Sequence, residues 1–106
     1  MTWSEVTIPD SSPAVRLARL RSGVDGSFAV LVRFPAGWTR PISGYYLADE
    51  EFWVLEGDLT VSGVDYGVGD GGAIPAGTVR TNSSSRAGAL ALAFFSGSAR
   101  WLRTDR

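Results

Sequence analysis

The chain has 106 residues, enough for one compact domain, and its 44% hydrophobic and 20% charged residues exclude a disordered polymer. It contains no Cys and no His, and all 10 basic residues are Arg, which removes the thiolate nucleophile, the imidazole acid/base, the usual zinc site and the Schiff-base lysine. A net charge of -1 supplies no field for nucleic acid or anionic lipid, so neither partner is expected.

In chain order, residues 1–10 carry Glu5 and Asp10 and lack a basic start followed by an apolar run, so they do not read as a signal peptide. No stretch approaches roughly 18 consecutive apolar residues, and a soluble cytoplasmic protein is expected. Period-two runs recur between Gly, Pro, Asp and Ser clusters, while the 3.6 period of an amphipathic helix is missing. Strands are expected at 15–20, Phe28–Phe34, 51–55, Leu59–Val61, Val64–Tyr66, 72–74 and 90–95, with terminal strands at 2–8 and 100–102. Turn signals separate them at Asp25-Gly26, Glu56-Gly57-Asp58 and Ser62-Gly63, and residues 82–86 read as a polar loop. Many short strands with turns every eight to twelve residues or so predict an all-β, antiparallel jelly-roll barrel or sandwich. Residues 89–95 are apolar on both faces, which calls for cover from inside and outside, and a homodimer is the simple explanation.

One spacing is more specific than composition. Gly37 is followed by Ser43, Tyr45, Glu50 and Gly57, and Gly69 by Pro75, Ala76, Gly77 and Arg80, without any gap adjustment. These two runs resemble the two cupin motifs, with Ser43, Tyr45 and Arg80 where His normally stands and the Glu retained. The segment 49–59, Pro75-Ala76-Gly77 and the run 88–95 look like small cupins related to the ChrR-type anti-sigma-factor domain. The resemblance covers roughly residues 15–95 of a single domain spanning 1–106. It implies a jelly-roll barrel whose four ligand positions converge, in typical cupins, on iron, manganese, zinc, copper or nickel. Here those positions hold Ser43, Tyr45, Glu50 and Arg80. A neutral hydroxyl is a poor ligand and a guanidinium brings positive charge where a cation would sit, so no metal cofactor is expected. Arg80 is instead predicted to pair with the buried Glu50 carboxylate.

Three readings follow. In the first, the barrel is a metal-free binding or sensing module for an anionic or polar metabolite: Arg80 anchors the anion, Ser43, Tyr45 and Glu50 make polar contacts, and Phe52, Val54, Phe94 and Trp38 form walls or an aromatic mouth with Tyr46. In the second it is a metal-independent isomerase or lyase using Glu50 as base and Tyr45 as acid, or a metalloenzyme with atypical ligands. The third is a regulatory or structural protein whose barrel is simply packed core. Asp49, Glu50 and Glu51 cannot chelate one ion together, because strand neighbours face opposite sides. Gly67-Val68-Gly69-Asp70-Gly71-Gly72 satisfies a dinucleotide pattern but leads into Ala73-Ile74-Pro75, which cannot form the required helix. Trp53 should face away from Glu50, toward an outer contact, and Arg100, Arg103 and Arg106 read as a solvated basic tail.

Overall fold

A computed structural model describes residues 1–104, and Arg106 lies outside them. Among the described residues twelve strands follow one another: β1 (Ser4–Val6), β2 (Val15–Ser22), β3 (Phe28–Phe34), β4 (Trp38–Arg40), β5 (Gly44–Tyr46), β6 (Glu50–Gly57), β7 (Leu59–Val61), β8 (Val64–Tyr66), β9 (Gly71–Ile74), β10 (Ser83–Ser85), β11 (Ala89–Phe95) and β12 (Trp101–Arg103). They form three antiparallel sheets, ordered β1-β2-β3-β11-β6-β9, β4-β10-β7-β8 and β12-β5. The described residues contain no helix long and apolar enough to cross a membrane.

Alternation fixes the large sheet. Val30, Val32 and Phe34 of β3 point into the core, as do Phe52 and Val54 of β6. Between these two strands runs β11, whose inward residues are Ala89, Ala91, Ala93 and Phe95. Ala91 stands between Val32 and Val54, and Ala93 between Val30 and Phe52. Placing methyl groups at the middle of the sheet, where branched or aromatic side chains would fill the interior, leaves space between the sheets. Trp38 and Leu59 of the smaller sheet join the same core, and β5 and β12 pack Tyr46 and Trp101 against it.

Both faces of β11 are apolar, as the sequence indicates, and part of the outer cover comes from the chain itself. Phe94 meets Trp53 edge to face at 5.9 Å, leaving them 43% and 39% exposed. Two exposed leucines have a local cause. The pairing register skips Leu20 between Arg19 and Arg21 of β2, and skips Leu55 between Val54 and Glu56 of β6, so each occupies a bulge.

Three strands escape the sequence pattern: β4, β5 and β10. The polar loop expected at 82–86 contains β10, which bridges β4 and β7. Its buried serines are tolerable because their hydroxyls are satisfied locally: Ser85 Oγ donates to the Asp58 carbonyl at 2.7 Å and Ser83 Oγ to the Thr81 carbonyl at 3.0 Å. Period-two hydrophobicity cannot reveal a strand whose inward side chains are hydroxyls.

Gly57 ends β6 with φ +77, and a Cβ there would lie 1.9 Å from the Gly88 carbonyl oxygen. Gly69 has φ +89 but faces open space. Gly69→Ala should therefore cost about 1 to 2 kcal/mol from backbone strain alone, and Gly57→Ala more than that, because the clash with Gly88 adds to the same strain. Urea unfolding of the two variants checks the ranking, and equal losses would show that the Gly57–Gly88 approach relaxes freely.

Candidate functional site

The space left by the alanines is a cavity of about 220 Å³ inside the barrel. Its walls are mostly hydrocarbon, drawn from β3, β6 and β11 on one side and from Trp38, Leu59 and Val61 on the other. Its charged groups are Glu50, Arg80 and Arg40.

Arg80 is held by backbone on a short bridge to Gly44: Arg80 N–H donates to the Gly44 carbonyl at 2.7 Å, and Gly44 N–H to the Arg80 carbonyl at 3.1 Å. Gly44 has to be glycine, since a Cβ would lie 2.4 Å from the Trp101 ring and 2.6 Å from the Leu102 carbonyl oxygen. From this anchor Arg80 Nη1 donates to Glu50 Oε1 at 2.5 Å, with the two side chains only 8% and 11% exposed. The Glu50–Arg80 contact expected from the sequence is present. Asp49 and Glu51 do not join it: Asp49 Oδ1 accepts from the Ala76 N–H at 2.7 Å, and Glu51 is exposed.

The structure brings Glu50, Arg80, Phe52 and Trp38 to the cavity and leaves Ser43, Tyr45 and Phe94 off it. Tyr45 and Ser43 are half-buried on the side of β5 opposite Tyr46, and Tyr46 is the tyrosine that faces in. One residue of register exchanges the two faces of a strand. Tyr46 takes the inward place by packing edge to face on Phe95 at 5.3 Å and on Trp101 at 5.1 Å. Phe94 is corrected in the same way: Ala93 and Phe95 face the cavity, so Phe94 lies on the outer face. Val54 is fully buried in the core beside the cavity.

Arg40 is the residue that sequence reading missed. It is 4% exposed, donates from Nη2 to the Tyr46 hydroxyl at 2.8 Å and from Nε to the Pro9 carbonyl at 3.1 Å, and lies 3.9 Å over the Trp101 ring. The alternation of Trp38 and Arg40 was the signal available for it.

Two guanidinium groups therefore face one carboxylate. Both also approach the Tyr46 ring, Arg80 at 4.8 Å and Arg40 at 5.3 Å, where the negative π face offsets part of their charge. Arg80 Nε is buried and has no hydrogen-bond partner. Burial pushes the Glu50 carboxyl above its ordinary value, and Arg80 followed by Arg40 pulls it partway back.

This donor set does not fit the metal ion that typical cupins hold. The chain has no His or Cys, the one inward carboxylate among the described residues is engaged by Arg80, and two permanent cations occupy the same space. No group of three His, Cys, Asp or Glu side chains is placed to hold a metal ion among the described residues.

No protein-family model matches the chain, and no curated protein matches its sequence. Solved structures do match. A candidate acetylacetone dioxygenase from Methylibium petroleiphilum PM1 superposes with a TM-score of 0.82 at 15% identity, covering 98% of this chain and 75% of the other. The complex of Rhodobacter sphaeroides SigE with the anti-sigma ChrR contains a match at TM-score 0.70 and 22% identity, over 89% of this chain and 49% of the other. A protein of unknown function with a cupin-like fold from Ralstonia eutropha JMP134 matches at TM-score 0.68 and 13% identity, over 84% and 63% of the two chains. At these identities the likeness shows the fold: a small, all-β cupin jelly roll, as the motif spacing implied.

Arg80→Ala leaves Glu50 buried without its cation and should cost about 3 to 5 kcal/mol near neutral pH, measured by denaturant unfolding. A loss near zero would mean that the pair contributes nothing to the fold. Glu50 also sets a pH dependence. Its folded pKa lies above the unfolded value of 4.5, so the folded state keeps the proton longer. The contribution is fully present below about pH 4.5 and is lost as pH rises through the folded pKa. Relative to Glu50→Gln, wild-type stability should fall over that window; a rise would show that Arg80 outweighs burial.

Proposed function

We propose that the protein binds a small organic molecule inside the barrel, with Arg80, Glu50 and Arg40 fixing its polar end and the walls of the large sheet enclosing the rest. The observation that carries this reading is a mainly apolar cavity in the barrel, lined in part by Arg80, whose buried Nε has no hydrogen-bond partner. Buried N–H groups are almost always satisfied, and a few convergent polar groups in an apolar pocket are the usual form of a small-molecule site. A purely structural or regulatory barrel would fill its interior with side chains, whereas this one keeps about 220 Å³ open behind the alanines of β11.

A second reading, a metal-independent isomerase or lyase, rests on Glu50, a carboxyl that lines the cavity beside Arg80 and whose burial pushes its pKa up. The pairing of Glu50 with Tyr45 is not available to it, because Tyr45 lies off the cavity; Tyr46, whose hydroxyl is held by Arg40, takes its place.

The test is thermal unfolding with millimolar carboxylates, sugar acids, phosphorylated metabolites and small neutral aromatics, since any ligand of the folded state raises the Tm. At least one class should do so for the wild type and fail to do so for Ala91→Leu, which puts a larger side chain into the cavity wall without touching a polar group. No shift across the panel, or an undiminished shift in Ala91→Leu, would place binding outside the barrel or remove it altogether. Glu50→Gln that still binds but no longer turns a ligand over would select the enzyme.

A further inference from the structure

Taking the barrel cavity as a binding site, as proposed above, we infer that its ligand is a compact organic monoanion: a single carboxylate on a hydrocarbon body about the size of one aromatic ring.

The charge balance points to the sign and the number. Among the described residues the charged side chains lining the cavity are Arg40, Arg80 and Glu50, which sum to one excess positive charge with Glu50 ionised. Asp10, the other carboxylate near Arg40, is already held by Trp101 Nε1 at 2.9 Å and by Arg103 at 2.7 Å, so it is not available to the cavity. An uncompensated charge in a low-dielectric interior is costly, and one monoanion removes the imbalance where a dianion would reverse it.

Donor chemistry gives the same sign. A guanidinium offers N–H groups and accepts nothing, so the ligand atom facing the unpartnered Arg80 Nε must be an acceptor. Arg80 Nη1 is occupied by Glu50 and its Nε is buried without a partner, so a carboxylate oxygen brought against that N–H makes a charge-assisted hydrogen bond.

The rest of the lining sets the body of the ligand. Away from the arginines the walls are mainly hydrocarbon, from residues such as Val30, Val32, Phe34 and Ala91, with hydroxyls only at Thr7 and at Ser83, which already donates to the Thr81 carbonyl; this is poor provision for a row of hydroxyls and disfavours a sugar acid. A dry apolar cavity of roughly 150 Å³ holds benzene, so about 220 Å³ accommodates a ring with one carboxylate.

Isothermal titration of the full chain with four probes tests this: benzoate, its neutral isostere benzamide, the dianion phthalate, and glucuronate as a hydroxylated monoanion. Benzoate should bind, with benzamide, phthalate and glucuronate each weaker by about tenfold or more. The comparison uses wild-type protein and does not depend on whether Arg80 variants fold. Arg40→Gln, which leaves the Glu50–Arg80 pair in place, should also weaken benzoate more than benzamide. Benzamide binding as tightly as benzoate, or phthalate or glucuronate binding more tightly, overturns the monoanion assignment while leaving barrel binding intact. No heat and no Tm shift with any of the four, or with the broader panel, overturns both.

Discussion

Two guanidinium groups lie inside a small barrel whose walls are otherwise hydrocarbon, and a cation in that setting is stable only if its surroundings replace the water it has given up. The structure does this by different means for each. Arg80 has a carboxylate, with Nη1 2.5 Å from Glu50 Oε1. Among the described residues Arg40 makes no salt bridge; it has the Pro9 carbonyl, the Tyr46 hydroxyl and the Trp101 face. The Tyr46 ring lies near both guanidinium groups and moderates their repulsion, which explains why the inward residue of β5 is aromatic and not merely apolar.

Those partners come from opposite ends of the chain, so the buried charge also ties the termini together. The carbonyl that Arg40 uses belongs to the segment after β1, and the indole belongs to β12. Asp10 sits next to that carbonyl with φ +59, a left-handed conformation that an Asp tolerates better than most residues. Its carboxylate accepts from Trp101 and Arg103, and these bonds hold its pKa below the usual range. Gly44 then lets β12 lie close enough for Trp101 to reach Arg40. The segment after β1 and the strand β12, both outside the motif resemblance, thus hold the buried Arg40 in place.

Much of this was legible in the sequence, and the failures share one cause. β3, β7 and β8 have the expected bounds, because branched and aromatic residues alternate there between clear turn signals. The Glu50–Arg80 pair was legible because motif spacing brought together residues 30 apart in sequence. Where hydrophobicity carries no parity, the reading fails. Tyr45-Tyr46 and Phe94-Phe95 are adjacent residues of the same type, so composition cannot say which faces in. The choice is made by pairing: β11 is locked to β3 with Ala93 opposite Val30, and β5 to β12 with Tyr46 opposite Trp101. Arg40 and β10 were missed for the complementary reason, that their inward side chains are polar and look like surface until their partners are known.

The barrel's chemistry depends on the kind of polar atom it turns inward as well as on their number. A cavity built to hold a cation presents lone pairs, and carboxylates and imidazoles supply them. Among the described residues this cavity is lined by two arginines and by one carboxylate, which is committed to one of them, so its charged lining is the reverse of a cation site. The fold does not impose that outcome, since the same sheets would enclose either kind of site. It follows from side chains at three positions, 40, 50 and 80, and from the alanines of β11 that leave the space for something to answer them.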